Sequence, residues 1–420
     1  MAYGLDGSGR RRSPSITHTG GGTEVSEFVP ARRLDRLPDQ FFAELVARTE
    51  ARRAAGHDVI NLGQGNPIDA TPDFIVDRLA TAAADPRYHH YIPFSGLLAL
   101  KEAGARWWFT HHGVRLDPGR DIAVTIGIKV ALAELALVVL NPHEVALVPN
   151  PGYPDYRSGI ALAGARPHSL VLDASRGFQP DFSGLAPDAR LVFLNYPHNP
   201  TGRLAAAGVF REAVAYGSRT GAVIVHDLAY GDVVFDGRSA PSFLATPGAK
   251  EVGVECLSFS KSYSMAGWRI GLVAGHPEVI RQLEVLQDHL HCSQFGAIQE
   301  AAIAALDSPA AVTAAVAARY QARRDVLIDG LAAAGWQVPA PEGGIFCWAP
   351  VPQGGDGASL ANFLLETCDV MVAPGAGFGS EGRRFVRFSL TADSERLQEA
   401  ARRIGKRLPD FQSAPPPPSS

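Results

Sequence analysis

Seven short runs rich in Val, Ile and Leu alternate with helical stretches between residues 122 and 274, and this alternation constrains the fold more than any other feature. Gly and Pro bound the runs, and residues 129–140 and 205–219 have helical spacing. Apolar strands joined by helices usually pair in parallel, with helices covering both faces of the sheet. We therefore expect a mostly parallel sheet whose last strand runs antiparallel. The predicted strands are 122–126, 145–148, 168–172, 191–195, 222–226, 254–259 and 270–274.

The chain has 420 residues, a length that ordinary domain sizes divide into two or three cores. We expect an α/β protein with the seven-stranded sheet in a large domain and a smaller α/β domain after it. The predicted segments are a disordered N-terminal arm at 1–30, an N-terminal helix packing with the small domain at 31–57, the large domain at 58–305, the small C-terminal domain at 306–408, and a disordered proline-rich tail at 409–420.

Composition excludes several classes of protein. The net charge of -4 gives no basic surface field, so we expect no nucleic-acid partner. The first thirty residues lack the apolar core of a signal peptide, and no apolar run reaches the length of a membrane span. We therefore expect no membrane partner and a cytoplasmic location.

Cysteines and histidines do not form a recognisable metal or disulfide pattern. The four cysteines are widely spaced without a C-x-x-C pair, which fits a reduced compartment. The pairs at 89–90 and 111–112 and the motif His289-x-His291 have no carboxylate or thiolate at ligand spacing. We expect no metal site.

The segment from Ser258 to Gly271 carries the strongest chemical signal. Lys261 follows the predicted strand 254–259, at the carboxyl end where open α/β sheets bind ligands, and Arg269 comes eight residues later. A desolvated lysine among cations is a nucleophile toward aldehydes, while Arg269 and Ser258 suit a phosphate monoester. The three residues predict pyridoxal 5'-phosphate (PLP), an aldehyde cofactor with a phosphate. The alternative is a lysine and an arginine on a solvated loop.

Two further strand ends supply polar side chains for the cofactor's ring. Asp227 follows the strand 222–226, and a carboxylate at the ring nitrogen keeps a pyridinium charged. Tyr230 and Asn199 would donate hydrogen bonds to the ring's phenolate oxygen. The alternatives are a helix cap for Asp227 and an ordinary Asn-Pro turn for Asn199. His226 lies on the opposite strand face, which favours a packed core histidine.

Other positions near strand ends fit the phosphate, the ring and a substrate. Gly127, Ile128 and Lys129 join a strand to a helix, where backbone N–H groups form an anion site. Tyr153 lies just past another strand, where its ring could stack on the cofactor or simply pack. Arg387 lies inside an apolar strand and needs an anionic partner, either a substrate α-carboxylate or a buried acidic side chain.

Together these motifs resemble the class I/II aminotransferases, which are fold-type I PLP-dependent enzymes. The resemblance covers about residues 58–408 and depends on Ser258, Lys261 and Arg269, Asn-Pro-Thr-Gly at Asn199, Asp-x-Ala-Tyr at Asp227, and Arg387. The segments 61–67 and 260–269 are most similar to the methionine-salvage and LL-diaminopimelate or alanine aminotransferase branches. Ser264 stands where those branches often carry asparagine.

The resemblance implies a role for each matching residue. Lys261 would form the Schiff base and shuttle the proton, and Arg387 would bind the substrate carboxylate. Gly65 matches a loop glycine that contacts substrate. Tyr91 matches the tyrosine that reaches the phosphate in the partner subunit, so a homodimer with shared active sites is implied. The remaining positions keep the cofactor roles given above.

We therefore expect a PLP-dependent aminotransferase that moves an amino group between an L-amino acid and a 2-oxo acid. An alternative is elimination, replacement or carbon–carbon bond formation on a methionine-type amino acid, since these reactions share the same residues. A non-catalytic PLP-binding regulator would need a DNA-binding module, for which the arm is too short. The candidates for side-chain selection are Gly63-Gln64-Gly65 and the segment 289–294, which we expect to face the pocket of its own chain or of the partner subunit. The segment 289–294 has no arginine for a second carboxylate, so we expect a neutral or thioether side chain.

Overall fold

The computed structural model describes residues 28–185 and 188–413. Within these ranges the strands are β1 (Ile60–Asn61), β2 (Ile122–Thr125), β3 (Val145–Asn150), β4 (Arg166–Val171), β5 (Ala189–Asn195), β6 (Val223–Leu228), β7 (Gly253–Ser258), β8 (Gly271–Gly275), β9 (Phe346–Pro350), β10 (Val370–Met371), β11 (Ala373–Pro374) and β12 (Phe385–Ser389). The helices are α1 (Phe41–Ala54), α2 (Asp73–Ala83), α3 (Leu98–His112), α4 (Pro118–Asp121), α5 (Ile128–Val139), α6 (Tyr156–Leu162), α7 (Val209–Thr220), α8 (Ala249–Val252), α9 (Phe259–Ser262), α10 (Pro277–Leu290), α11 (Gly296–Leu306), α12 (Ala311–Ala333), α13 (Gly357–Cys368) and α14 (Ser394–Ser413).

The predicted seven-stranded sheet is present, with the order β2-β8-β7-β6-β5-β3-β4. Its strands pair in parallel except β8, which runs antiparallel to both β2 and β7. Neighbouring residues of β6 pack on opposite faces: Ile224 joins the core that contains Trp108, and Val225 joins the core that contains Leu135. Both faces are therefore covered, which explains the continuous apolar composition of the strands.

The smaller domain is built on a second sheet, with the antiparallel order β11-β12-β9. The short strand β1 pairs in parallel with β10, through Ile60 with Val370 and Asn61 with Met371. Ile60 is buried in one hydrophobic cluster with Val370. This pairing joins residues that are far apart in the sequence, which local patterns do not reveal.

Helices α1 and α14, near the two ends of the described chain, pack on the small domain. Helix α1 contacts α13 through Arg48 and Asn362, and Arg52 forms an ion pair with Glu366. Helix α14 continues past the predicted domain end at residue 408, and Phe411 packs against Phe363 with ring centroids 5.3 Å apart. The predicted arm up to residue 27 and the predicted tail from residue 414 lie outside the described residues.

In the part of the chain that the structure describes, no single helix is long and apolar enough to cross a membrane. Helices α11 and α12 reach that length and apolarity only as a pair, across an 83° bend. The same residues contain no group of three or more His, Cys, Asp or Glu side chains placed to hold a metal ion.

Candidate active site

A cleft of about 470 Å³ opens at the carboxyl ends of the parallel strands, with small-domain residues along one wall. It is lined by most of the residues that the sequence singled out: Gly65, Ile128, Lys129, Tyr153, Asn199, Asp227, Tyr230, Ser258, Lys261, Arg269 and Arg387. The lining also includes Gln64, which the sequence placed among the candidates for side-chain selection, and residues that the sequence analysis did not assign: Phe42, Asn66, Leu132, Asn195, Ala229, Ser260, Ala266 and Phe346.

Lys261 lies in α9, directly after β7, and its side chain enters the cleft. Its Nζ donates a hydrogen bond to the backbone oxygen of Gly65 at 2.9 Å. Burial, with smaller contributions from the positive charges of Arg387 and Arg269, lowers the pKa of Lys261 to about 8. The neutral, nucleophilic form of this amine is therefore far more populated near neutral pH than that of an ordinary lysine.

An anion cradle lies between the start of α5 and the segment after β7. Ser258 caps α9, since its Oγ accepts a hydrogen bond from the backbone N–H of Ser260 at 3.2 Å. Arg269 has a left-handed φ of 56° and donates from Nη1 to the oxygen of Ala266 at 2.8 Å. A Cβ at Gly127 would lie 2.5 Å from Nη2 of Arg269, so only glycine allows the guanidinium to approach the helix start. This donor set suits a phosphate monoester.

Asp227 lies at the end of β6 and is 5% exposed. Its Oδ2 accepts from the hydroxyl of Tyr156 at 2.9 Å, and its Oδ1 accepts from the backbone N–H of Ala229 at 3.2 Å. Burial raises the pKa of Asp227, while Tyr156, His226 and Ala229 oppose that rise. Asp227 therefore accepts from the turn that follows its own strand and caps no helix, unlike the helix-cap alternative, and it also lines the cleft. A carboxylate without a charged partner in the cleft suits a cationic ring nitrogen.

Asn195 connects Asp227 to the turn that carries Asn199. Its Nδ2 donates to the backbone oxygen of Asp227 at 2.7 Å, and its Oδ1 accepts from the N–H of Asn199 at 2.8 Å. The side-chain Oδ1 of Asn199 accepts from Nη1 of Arg387 at 2.9 Å. This contact leaves the NH₂ group of Asn199 as a donor at the cleft.

Arg387 is 1% exposed and pairs with no acidic side chain among the described residues. Besides Asn199, it donates from Nη2 to the oxygen of Gly63 at 2.9 Å, and its Nε has no partner. Its guanidinium carbon lies 3.8 Å from the ring centroid of Phe346 and 4.5 Å from that of Phe378. Burial lowers the pKa of Arg387 to about 9. A structural ion pair is therefore not its role, and an incoming carboxylate would meet an unpaired cation.

The other predicted residues differ in their position relative to the cleft: some line it, and Tyr91 lies outside it. The rings of Tyr153 and Tyr230 line it, and burial raises the pKa of both hydroxyls. The amine of Lys129 forms an ion pair with Asp155 at 2.8 Å, so only its backbone is placed for the anion site. Tyr91 is 83% exposed and lies outside this cleft, in a surface depression that also contains Cys292.

The segment 289–294 does not line the cleft of its own chain, so of its two expected placements only the one at the partner subunit's pocket stays a prediction. Its last residue, Gln294, donates from its side chain to the backbone oxygen of Arg269. His291 lies 2.8 Å, Nε2 to Oε1, from Glu134 of α5. The segment therefore supports the anion cradle from outside.

Sequence reasoning missed Tyr156, Phe42 and Phe346. Tyr156 stacks on Phe193 and reaches Asp227 from α6, an orientation that no local motif specifies. Phe42 comes from α1 and Phe346 from β9, so both reach the cleft only through the packing of the small domain. Asn195 could have been predicted as a cleft residue, because it is the last residue of β5, directly before the turn that carries Asn199.

Comparison with known proteins agrees with this geometry. Residues 57–404 match the family model "Aminotransferase class I and II", and the chain belongs to this family. It is an aminotransferase with the fold-type I architecture.

Among its relatives, the L-glutamine–4-(methylsulfanyl)-2-oxobutanoate aminotransferase of Bacillus subtilis is 45% identical over 384 residues, which is 90% of this chain and 96% of that protein. The LL-diaminopimelate aminotransferase of Moorella thermoacetica is 40% identical over 382 residues, covering 90% of this chain and 98% of that protein. The substrate-bound BacF structure from Bacillus subtilis has a TM-score of 0.86 at 39% identity, covering 90% of this chain and 98% of that one.

Proposed function

We propose that the chain uses PLP in the cleft to move an amino group between an L-amino acid and a 2-oxo acid. When bound, the cofactor supplies an aldehyde for the amino group and a ring that accepts electrons from the α-carbon. The observation that carries the proposal is the unpaired, buried Arg387 in the same cleft as the low-pKa amine of Lys261. One residue can hold a carboxylate and the other can react with an aldehyde.

Each residue of the cleft has a proposed task at the cofactor. Lys261 holds the aldehyde and moves the proton at the substrate α-carbon with its freed amine. With PLP bound, Asp227 would face the ring nitrogen and keep it protonated, and Asn199 and Tyr230 would donate to the ring oxygen. Tyr153 stacks on the ring. The phosphate is held by Ser258, Arg269 and the backbone of Gly127, Ile128 and Lys129.

Every amino-acid substrate has the same α-carboxylate, whereas the side chain differs between substrates, and we assign the two to different residues. Arg387 holds the α-carboxylate of every substrate through its two-pronged guanidinium. Gly65 would lie beside that carboxylate. Its backbone oxygen accepts from Lys261, and the oxygen of Gly63, two residues earlier, accepts from Arg387.

We propose a neutral or thioether side chain for the amino acid. Of the cations lining the cleft, Lys129 is paired with Asp155 and Arg269 belongs to the phosphate cradle, so none is free for a second carboxylate. The cleft wall near Arg387 is formed by Phe42 and Phe346, with Gln64 and Asn66 as neutral polar groups. The Bacillus subtilis relative named for glutamine and 4-(methylsulfanyl)-2-oxobutanoate, the 2-oxo acid of methionine, supports the same choice.

We also propose that the enzyme is a cytoplasmic homodimer whose subunits share active sites. Tyr91 lies outside its own cleft and stays largely exposed, together with the neighbouring rings of Phe94 and Phe295. Such a cluster of exposed apolar side chains is unusual on a monomer and suits a subunit interface. Light scattering on the purified protein would measure the mass directly, and a monomer at working concentration would contradict this part of the proposal.

The test of the reaction is a substrate panel on the PLP-loaded protein. Methionine, glutamine, alanine and aspartate are each incubated with one 2-oxo acid, and products are read by mass spectrometry. We expect new 2-oxo and amino acids in equal amounts, with methionine or glutamine above aspartate. Release of a side-chain fragment that does not depend on the 2-oxo acid would instead indicate elimination or replacement, and preferred use of aspartate would contradict the side-chain argument.

A further inference from the structure

A buried pair of titratable side chains, His226 and Glu255, lies on the face of the sheet opposite the Asp227 carboxylate. Both residues are 0% exposed, and they are directly opposite each other in the parallel pairing of β6 and β7. The Nδ1 of His226 lies 2.9 Å from Oε2 of Glu255. This pair is not part of the cleft, and the proposed reaction gives it no task.

The other ring nitrogen of His226 also faces an acceptor. Its Nε2 lies 3.1 Å from the backbone oxygen of Tyr196. A carbonyl oxygen has no proton to donate, and an ionised carboxylate has none either, whereas neutral imidazole has a single N–H. Both contacts are hydrogen bonds only when both ring nitrogens carry a proton.

The surroundings of Glu255 favour its ionised form. Its carboxylate accepts from Trp108 Nε1 at 2.8 Å, from Ser242 Oγ at 2.7 Å and from the backbone N–H of Phe243 at 2.7 Å. Although burial opposes ionisation, His226, His112 and Trp108 together hold the pKa of Glu255 below its usual value. Four donors and no acceptor around one buried carboxylate leave no partner for a carboxyl proton.

We infer that His226 is a buried imidazolium, paired with Glu255, that positions two cofactor-binding residues of the site. The ring lies on the strand residue directly before Asp227, and through Nε2 it holds the oxygen of Tyr196, three residues before Asn199. One rigid pair therefore fixes the strand end that carries Asp227 and the start of the turn that carries Asn199. The positioning role, unlike the protonation state, rests on the proposed function of Asp227.

Few other charges face the pair. From α3, His112 acts on Glu255 electrostatically without a hydrogen bond, and burial lowers the pKa of His112, which favours its neutral form. From α7, the ring of Phe210 packs edge-on against His226 with centroids 4.7 Å apart. On β6 itself, Asp227 is the nearest acid, and the positive charge of His226 favours its carboxylate form. The imidazolium thus acts on both Glu255 and Asp227.

The protonation state is tested by NMR on the cofactor-free protein labelled with ¹⁵N-histidine. The signals of His226 are assigned by their loss in His226→Gln. We expect two protonated ring nitrogens at neutral pH, because both ring nitrogens face acceptors. In Glu255→Gln the ring should lose one proton, because a buried cation without its counter-charge is unfavourable. A single protonated nitrogen in the wild-type protein would overturn the inference.

The positioning role is tested in the PLP-loaded protein, with His112→Gln as the matched control. We expect His226→Gln to slow the half-reaction with amino acid about tenfold, a typical effect of losing an outer hydrogen-bond partner. The acid limb of the rate profile should move to higher pH, since Asp227 loses a favourable positive charge. The control should show neither change, and an unchanged His226→Gln profile would overturn the role.

The protonation state of His226, its positioning role and the proposed amino transfer can each be contradicted separately. If the substrate panel gives no amino transfer, the NMR result still reports the buried imidazolium. If His226→Gln does not fold, Glu255→Gln in the loaded protein is measured instead, with the same slower rate and shifted acid limb expected. Wild-type behaviour of that variant would overturn the positioning role while leaving the aminotransferase assignment intact.

Discussion

The amine of Lys261 donates a hydrogen bond to the backbone oxygen of Gly65, with 2.9 Å between Nζ and O. This contact joins α9, which directly follows strand β7 of the large sheet, to the loop that follows β1. Strand β1 itself pairs with β10. The same loop gives the oxygen of Gly63 to Arg387. One short loop therefore contacts both the proposed nucleophile, Lys261, and the proposed carboxylate-binding cation, Arg387.

Capture of PLP by the cofactor-free protein should accelerate as pH rises through about 8, the pKa of Lys261. Burial lowers that pKa from its ordinary value, and only the neutral amine attacks the aldehyde. The folding stability should also rise with pH over this range. Above about pH 8 the unfolded chain binds more protons at Lys261 than the folded chain does. The contribution of Lys261 to the free energy of unfolding therefore increases until the pH reaches the ordinary lysine pKa.

The measurement is stopped-flow absorbance of the lysine-bound cofactor across this pH range. In Arg387→Ala the midpoint should move to higher pH, because one of the nearby positive charges that lowers the pKa is removed. A midpoint near the ordinary lysine value in the wild-type protein would show that the amine is not desolvated.

Arg387→Ala should weaken the productive binding of every amino-acid substrate by a similar factor, about 2 to 4 kcal/mol for a lost charged pair. The steady-state ratio kcat/KM is measured for methionine, glutamine and alanine. The matched comparison is 3-(methylsulfanyl)propylamine, which lacks the carboxylate and should react equally slowly with both proteins. A loss confined to one side chain would assign Arg387 to specificity instead.

Gly65→Ala should damage carboxylate binding through Phe346. A Cβ at residue 65 would lie 2.4 Å from Cζ of Phe346, whose ring lies under the guanidinium of Arg387. Displacing this ring should cost about 1 to 3 kcal/mol of folding stability and raise KM. Denaturant unfolding and steady-state kinetics check both effects. Gly267→Ala is the control, because a Cβ there meets nothing within 4 Å, and equal behaviour of the two variants would contradict the steric argument.

Tyr156→Phe should move the acid limb of the activity profile to higher pH and lower the maximum rate. The hydroxyl of Tyr156 stabilises the Asp227 carboxylate, and its loss raises the pKa of Asp227 further. A hydrogen bond to a charged group contributes about 1.5 to 3 kcal/mol.

Tyr196→Phe serves as the control for Tyr156→Phe, since its hydroxyl donates to the oxygen of Phe178 away from the cleft. This variant should lose stability without a shift of the acid limb. Identical pH profiles for Tyr156→Phe and the wild-type protein would mean that Asp227 does not depend on this hydrogen bond.

Local patterns in the sequence predicted the seven-stranded sheet and most of the residues that line the cleft. Lys261, Asp227 and Asn199 each follow an apolar strand, and strand ends of a parallel sheet meet at one edge. These positions could be predicted because each one depends only on the apolar run that directly precedes it in the sequence.

Contacts between distant segments were not readable in the same way. Pairing of β1 with β10 and the entry of Phe42 into the cleft depend on how the small domain packs. The ion pair of Lys129 with Asp155 joins the start of α5 to the residue before α6, and no motif specifies that contact. The buried pair of His226 and Glu255 likewise requires the register of two strands.

The most direct test of the account locates the covalent attachment of the cofactor. The PLP-loaded protein is reduced with borohydride, digested, and analysed by mass spectrometry. We predict the added mass of one cofactor on the peptide that contains Lys261, its absence in Lys261→Ala, and its retention in Lys129→Ala, which removes the other lysine lining the cleft. Attachment at a different lysine, or none in the wild-type protein, would contradict the assignment of Lys261 and the reaction built on it.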